Sequence, residues 1–248
     1  MQTFSPTPTF RRGAVQPVVC IQTGWELIKQ RYWLFVGMSA LGMFLGNMVP
    51  FGIILGPLMC GIYLALFQYR RNQPIEFGLL FKGFDYFGES VVATLIHYVP
   101  IYLLILPVYV VYFAGMFMII PRQGGEPDPA SLFGFMGLVF VIMLVIFILI
   151  MLLSILFTFS YPLIVDRRMS GVDAAKLSAK GAIANFVPLP GLWLLNGILM
   201  FMGMLLCYVG MFLAMPITFA AIETAYEQVF GLGEAQGPNL PPPPPIFT

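Results

Sequence analysis

His97 is the single histidine in 248 residues, and it falls inside the apolar run from Val91 to Ile120. An ionisable side chain at membrane depth is costly to bury and is by default a candidate for chemistry. Glu89 lies one to two helical turns before it, so the pair has the residue types of a proton relay. One imidazole and one interfacial carboxylate are a thin set, however, and a histidine satisfied by hydrogen bonds or water is the simpler expectation. Asn47 and Asn196, in two other apolar runs, complete the intramembrane polar candidates; such amides bond across helices or cap turns. Glu223 and Glu227 share a face at the end of the last apolar run, where the interface is expected. Cys20, Cys60 and Cys207 are scattered without metal or redox spacing. No histidines, cysteines or carboxylates cluster as metal ligands do. No serine has a base at motif spacing, and no glycine run matches a phosphate loop. The sequence therefore predicts no catalytic, cofactor-binding or metal residues, no cofactor, and a protein that is not an enzyme.

The elements that would carry these residues follow from composition. Hydrophobic residues make up 59% of the chain and charged ones 9%, against about 45–50% and 25% in soluble domains. This is the composition of an integral membrane protein, all-α, in which each spanning helix takes about 20 residues. A formal charge of +1 gives no reason to expect nucleic acid as a partner. The expected partners are membrane lipids, other membrane subunits or a second copy of the chain. The 16 methionines and 24 phenylalanines read as packing and lipid-facing residues. No cleavable signal is expected, and the first span would act as an uncleaved anchor.

Taken in order, residues 1–20 carry three prolines without periodicity and predict a disordered cytoplasmic arm. Thr23 and Glu26 have the spacing of a capping box. Ile21, Trp25, Ile28, Tyr32 and Phe35 then recur on one helical face. That pattern predicts an interfacial amphipathic helix; the competing reading is an extension of the first span. Trp33–Val49 and Ile53–Phe67 read as two short arms around a turn, or as one bent helix. Residues 68–90 mix Phe77, Phe81, Phe84, Tyr86 and Phe87 with charges, as a second interfacial segment would. Val91–Ile120 and Leu132–Leu163 are long apolar runs joined by an external loop from Pro121 to Ser131. Ser170 and Asp173 repeat the capping box. Val172, Ala175, Ala179, Ala182, Ile183 and Phe186 share one face of the helix that follows, with Asp173, Lys176 and Lys180 opposite. The block from Trp193 to Ile222 reads as one tilted span or as a hairpin turning near Cys207 to Gly210. Residues 233–248 include five consecutive prolines and predict a disordered, polyproline-type tail.

The two capped segments belong to a weak internal repeat. Thr23 precedes Ser170 by 147 residues, Trp33 precedes Trp193 by 160, and Pro57 precedes Pro216 by 159. Each copy runs from amphipathic helix through a Trp-Leu arm to a proline-bearing return arm, a known construction of membrane folds. The repeat favours about six spans in a single transmembrane domain, residues 21–232, with two interfacial helices. Lys and Arg number four in residues 1–32, three in 68–90 and four in 163–190, leaving only Arg122 in an outside loop. Eleven of twelve on one side is a strong positive-inside asymmetry. It places the N-terminus in the cytoplasm, and with six spans the C-terminus too.

The segments GWELIKQRYW, ILGPLMCGIY, FGLLFKGFDYF, YPLIVDRRMSGVDAAKLSAKGAIANF and CYVGMFLAMPITFAAIETAYEQVFG together resemble a broad group of bacterial polytopic inner-membrane proteins catalogued as domains of unknown function. They are also similar to the membrane domain attached to some glycerophosphodiester phosphodiesterases. The resemblance covers residues 20–232 and implies a fold and a bacterial inner-membrane location. It implies no activity, because the soluble phosphodiesterase barrel is not part of this sequence and the family has no agreed catalytic residues. The expected function is a non-catalytic membrane subunit or scaffold; the alternative is a transporter or lipid-handling protein.

Overall fold

The computed structural model describes residues 10–49, 52–119, 128–206 and 209–232. Among them the chain is all-helical. The elements are α1 (Pro17–Ile28), α2 (Tyr32–Met48), α3 (Leu55–Arg70), α4 (Leu79–Lys82), α5 (Phe87–Ile119), α6 (Pro129–Leu156), α7 (Ser160–Arg167), α8 (Gly171–Ala184), α9 (Pro188–Leu205) and α10 (Val209–Phe230). Single 3-10 turns join α1 to α2 and α4 to α5. Four segments are long and apolar enough to cross a membrane: Leu79–Phe117, Pro129–Arg167, Pro188–Leu205 and Val209–Phe230. The chain is thus a multi-pass membrane protein. The short pair α2 and α3 has 17 and 16 residues, about 25 Å each at 1.5 Å per residue.

Three times along the chain a short helix precedes a pair of longer ones: α1 before α2 and α3, α4 before α5 and α6, α8 before α9 and α10. The short helices pack away from their own pairs. α1 lies on α10, α4 on α3, and α8 against α5, α6 and α7. Helix α3 is the centre, with most of its residues buried, and α10 is buried along its charged end. Both candidate hairpins are present as hairpins: α2 and α3 are separate helices, and so are α9 and α10. At the second of these, a Cβ on Gly203 would stand 2.6 Å from the Gly210 carbonyl oxygen. Glycine at both positions is what lets the two backbones meet.

Several expectations need correction. Residues 10–20 of the predicted disordered arm are ordered, because Pro17 starts α1 and its preset φ suits the first helical turn. The Arg11 N–H donates to the Val229 carbonyl at 2.8 Å, and the Phe10 and Phe230 rings meet at 6.4 Å between centroids. The described chain therefore begins and ends on the same face of the domain. Residues 1–9, residues 121–127 of the expected external loop from Pro121 to Ser131, and the tail at 233–248 lie outside the described residues. Thr23 is not a cap, since α1 starts six residues before it. Ser170 is one: its hydroxyl accepts from the Asp173 N–H at 3.2 Å.

The predicted apolar faces are divided: Ile28 of the first and Ala175 and Ala182 of the second are buried, whereas their bulky members Trp25, Val172, Ile183 and Phe186 are exposed. In α1 the buried residues are Cys20, Gly24 and Ile28, while Trp25 is 41% exposed. In α8 they include Gly171, Ala174, Ser178 and Ala182, while Val172, Ile183 and Phe186 are exposed. Small residues face the protein because they let backbones approach, and bulky ones face lipid, where no hydrophobic penalty applies. A Cβ on Gly24 would fall 2.8 Å from the Ala221 backbone nitrogen, so α1 can sit this close to α10 only with glycine there.

Candidate functional site

The largest concentration of ionisable groups is a junction where the ends of α3, α7 and α10 converge. Arg70 ends α3 and grips Glu223 of α10 with two hydrogen bonds, Nε to Oε1 at 2.7 Å and Nη2 to Oε2 at 2.5 Å. The fork geometry matches a carboxylate, as lysine would not. Its Nη2 also donates to Thr224 Oγ1 at 2.9 Å, and Nη1 lies 2.7 Å from Glu227. Arg71, next in sequence, donates to Asp166 of α7 at 2.6 Å, and the Tyr226 hydroxyl of α10 donates to the other Asp166 oxygen at 2.8 Å. Arg167 donates to the Phe230 carbonyl at 2.7 Å and lies over the Phe230 ring. The Glu223 and Asp166 side chains are both fully buried. Burial works to lower the Arg70 pKa, but hydrogen bonding to Glu223 and the charges of Glu223 and Glu227 lift it above the ordinary arginine value. The guanidinium stays charged, and the buried Glu223 and Asp166 carboxylates are each held by an arginine, while Arg167 Nε at the junction's edge is buried without a hydrogen-bond partner among the described residues.

A second polar region runs at membrane depth along α5, α6 and α9. His97 Nε2 lies 3.2 Å from Ser154 Oγ, with its ring against Tyr98 and Phe157. Thr94, one turn earlier, donates to the Ser90 carbonyl and so accepts from the Tyr161 hydroxyl at 3.0 Å. Between α6 and α7 the helix breaks at Phe157 to Phe159. Ser178 of α8 fills the break: its hydroxyl accepts from the Phe159 N–H at 3.0 Å and donates to the Leu156 carbonyl at 2.7 Å. Thr158 in the break donates to the Ser154 carbonyl and accepts from Trp193 Nε1 at 2.9 Å. Backbone polar groups freed inside a membrane must find such partners.

The three sequence candidates are not brought together. Asn47 is exposed and donates to the Met43 carbonyl on its own helix. Asn196 is buried in α9, and its Oδ1 has no hydrogen-bond partner among the described residues. His97 and Glu89 do not form a relay; Glu89 instead accepts from the Gly171 N–H at 2.6 Å and anchors the start of α8. Among the described residues no group of histidines, cysteines and carboxylates is placed to hold a metal. Sequence reading counted Arg70, Arg71 and Arg167 only toward the positive-inside asymmetry, and missed Ser178. The available signal was the pair of Arg-Arg steps after apolar runs, with Asp166 and the Glu223–Glu227 pair as counter-charges. Their separations of 95 and 153 residues hid who pairs with whom.

No protein-family model, no curated protein and no solved structure matches this chain. The resemblance given above rests on its quoted segments alone.

Proposed function

We propose that this chain is a non-catalytic integral membrane subunit or scaffold of a larger complex in a bacterial inner membrane. The observation that carries the reading is the α5–α6 pair. It is much longer than the rest, with 33 and 28 residues, about 50 and 42 Å against a hydrocarbon layer of about 30 Å. Only 11% of the most apolar window of Pro129–Arg167 is buried within the chain. Large side chains such as Phe117, Phe133, Phe140 and Phe147 are more than half exposed. A rigid, charge-locked body thus presents one long apolar arm, which suits packing against other membrane helices.

The six-span layout belongs to this proposal. The meeting of Phe10 with Phe230 supports an even number of crossings, which counts against five and is met by six as by four. The basic residues of the shared face support a cytoplasmic location for both ends. The order α1–α2–α3 against α8–α9–α10 supports the internal repeat. Membrane lipids and other subunits, or a second copy, are the partners. A pull-down from native membranes in mild detergent, with mass spectrometry and sizing, tests the reading. A stoichiometric partner set is expected, and a chain that always runs alone would count against it.

One observation favours the lipid-handling alternative. Between α5 and α6 lies an apolar cavity of about 450 Å³, lined by Val108, Tyr109, Tyr112, Met143 and Phe147 among others. A lone chain carrying a defined lipid in that pull-down would favour this second reading.

A further inference from the structure

A second cavity, of about 590 Å³, opens between the end of α1, the turn that follows it and the end of α3. Its lining is polar where the first is apolar: Arg31, Gln30, Asn72 and Gln73 with Glu26 and Tyr69, over Leu27 and Ile75. We infer that this cavity holds the phosphate-bearing headgroup of a membrane phospholipid, with Arg31 as the phosphate partner.

Three observations lead there. The first is charge. Arg70 also borders the cavity, but its guanidinium is taken by Glu223 and Glu227. Glu26 is paired with Lys29. Arg31 has no ion-pair partner among the described residues, so it is the cavity's uncompensated cation, and its planar donor fork suits a phosphate. The second is the hydrogen-bonding complement. Gln30, Asn72 and Gln73 carry amide donors for the remaining phosphate and glycerol oxygens. The third is depth. Trp25, Tyr32 and Trp33 form a ladder of edge contacts, 5.3 and 5.5 Å between centroids, and Trp33 is 73% exposed. Exposed tryptophan and tyrosine mark the headgroup level of a bilayer, and Arg31 belongs to this same short segment. Leu27 and Ile75 give the lipid's glycerol and upper acyl carbons an apolar floor. The same chemistry is offered by a soluble phosphate ester, and the source decides the assignment. The site is independent of the subunit reading, since it needs no protein partner.

The test uses the full chain purified in mild detergent from vesicles of phosphatidylethanolamine and phosphatidylglycerol, with bound lipid counted by native mass spectrometry. Wild type is expected to retain a phospholipid. Arg31→Gln should retain about tenfold less, the loss of one charge-assisted hydrogen-bond set, and Arg31→Lys should recover part of it. Arg31 is exposed, so the unfolding midpoint of the lipid-stripped variants should match wild type. Equal lipid retention by wild type and Arg31→Gln overturns the site. A stripped chain that binds inorganic phosphate through Arg31 yet retains no lipid overturns the headgroup assignment and makes the ligand a soluble phosphate.

Discussion

The charged junction and the α5–α6 arm are built by opposite rules. In the junction, Arg70, Arg71, Asp166, Glu223 and Tyr226 come from three helices and leave one another almost no choice of partner. Along the arm, dozens of apolar side chains face outward and few specific bonds tie α5 to α6. The junction's geometry is determined from within the chain; that of the arm is open to whatever surrounds it. The difference separates the part of the molecule that is fixed by its own contacts from the part on which the proposed partner surface rests. The break between α6 and α7, bridged by Ser178, is where the two regimes meet.

The largest effect is expected from breaking the junction. Arg70→Ala would leave the buried Glu223 carboxylate without its fork, a loss of about 3–5 kcal/mol, visible as a collapsed unfolding midpoint in detergent. Restoring charge with lysine should recover only part, because one ammonium cannot make both carboxylate bonds. Ser178→Ala comes next. It strands the Phe159 N–H and the Leu156 carbonyl, at about 1–3 kcal/mol, and hydrogen exchange should rise first around residues 156–160. If exchange there is unchanged, the hydroxyl does not hold the break. His97→Ala loses one hydrogen bond to Ser154 and some packing, about 1–2 kcal/mol. Asn47→Ala should fall within about 0.5 kcal/mol, being exposed and bonded only to its own helix.

A chemical probe sharpens the same contrast. Burial pushes the Cys20 thiol up to about 11, against the lowering effect of a hydrogen bond with the Gln16 backbone. At neutral pH the thiol therefore stays protonated and, packed on α10, resists maleimide. In a Cys207→Ser background, labelling of Cys20 should appear only when α1 detaches or the chain unfolds. Rapid labelling of the native protein would contradict the docking of α1.

Much of this fold was legible in the sequence and much of the site was not. Apolar runs, glycine-proline punctuation and the Ser170 cap are local signals, and they located the long helices and the start of α8. The stripes read for the two short helices turn out to meet two environments: Ile28 and Ala182 are buried against the protein, whereas Trp25 and Phe186 face outward, as bulky side chains can on a chain whose surroundings are lipid. Thr23 has the composition of a cap but is overruled by Pro17, which begins the helix earlier. The junction could not be read at all, since charge pairs separated by 95 and 153 residues depend on how α3, α7 and α10 converge. Asn196 and His97, read from the sequence as intramembrane polar candidates, lie on different helices and share no site.

The central claim is that the arm, and not the junction, is the surface for partners. The direct measurement is a parallel native-membrane pull-down of wild type and of a variant with Phe140→Ala and Phe147→Ala on the exposed face of α6. Equal expression and equal unfolding midpoints, with partners lost only from the variant, are the predicted result. Partners retained in full by the variant, or a wild-type chain that brings down none, would contradict it.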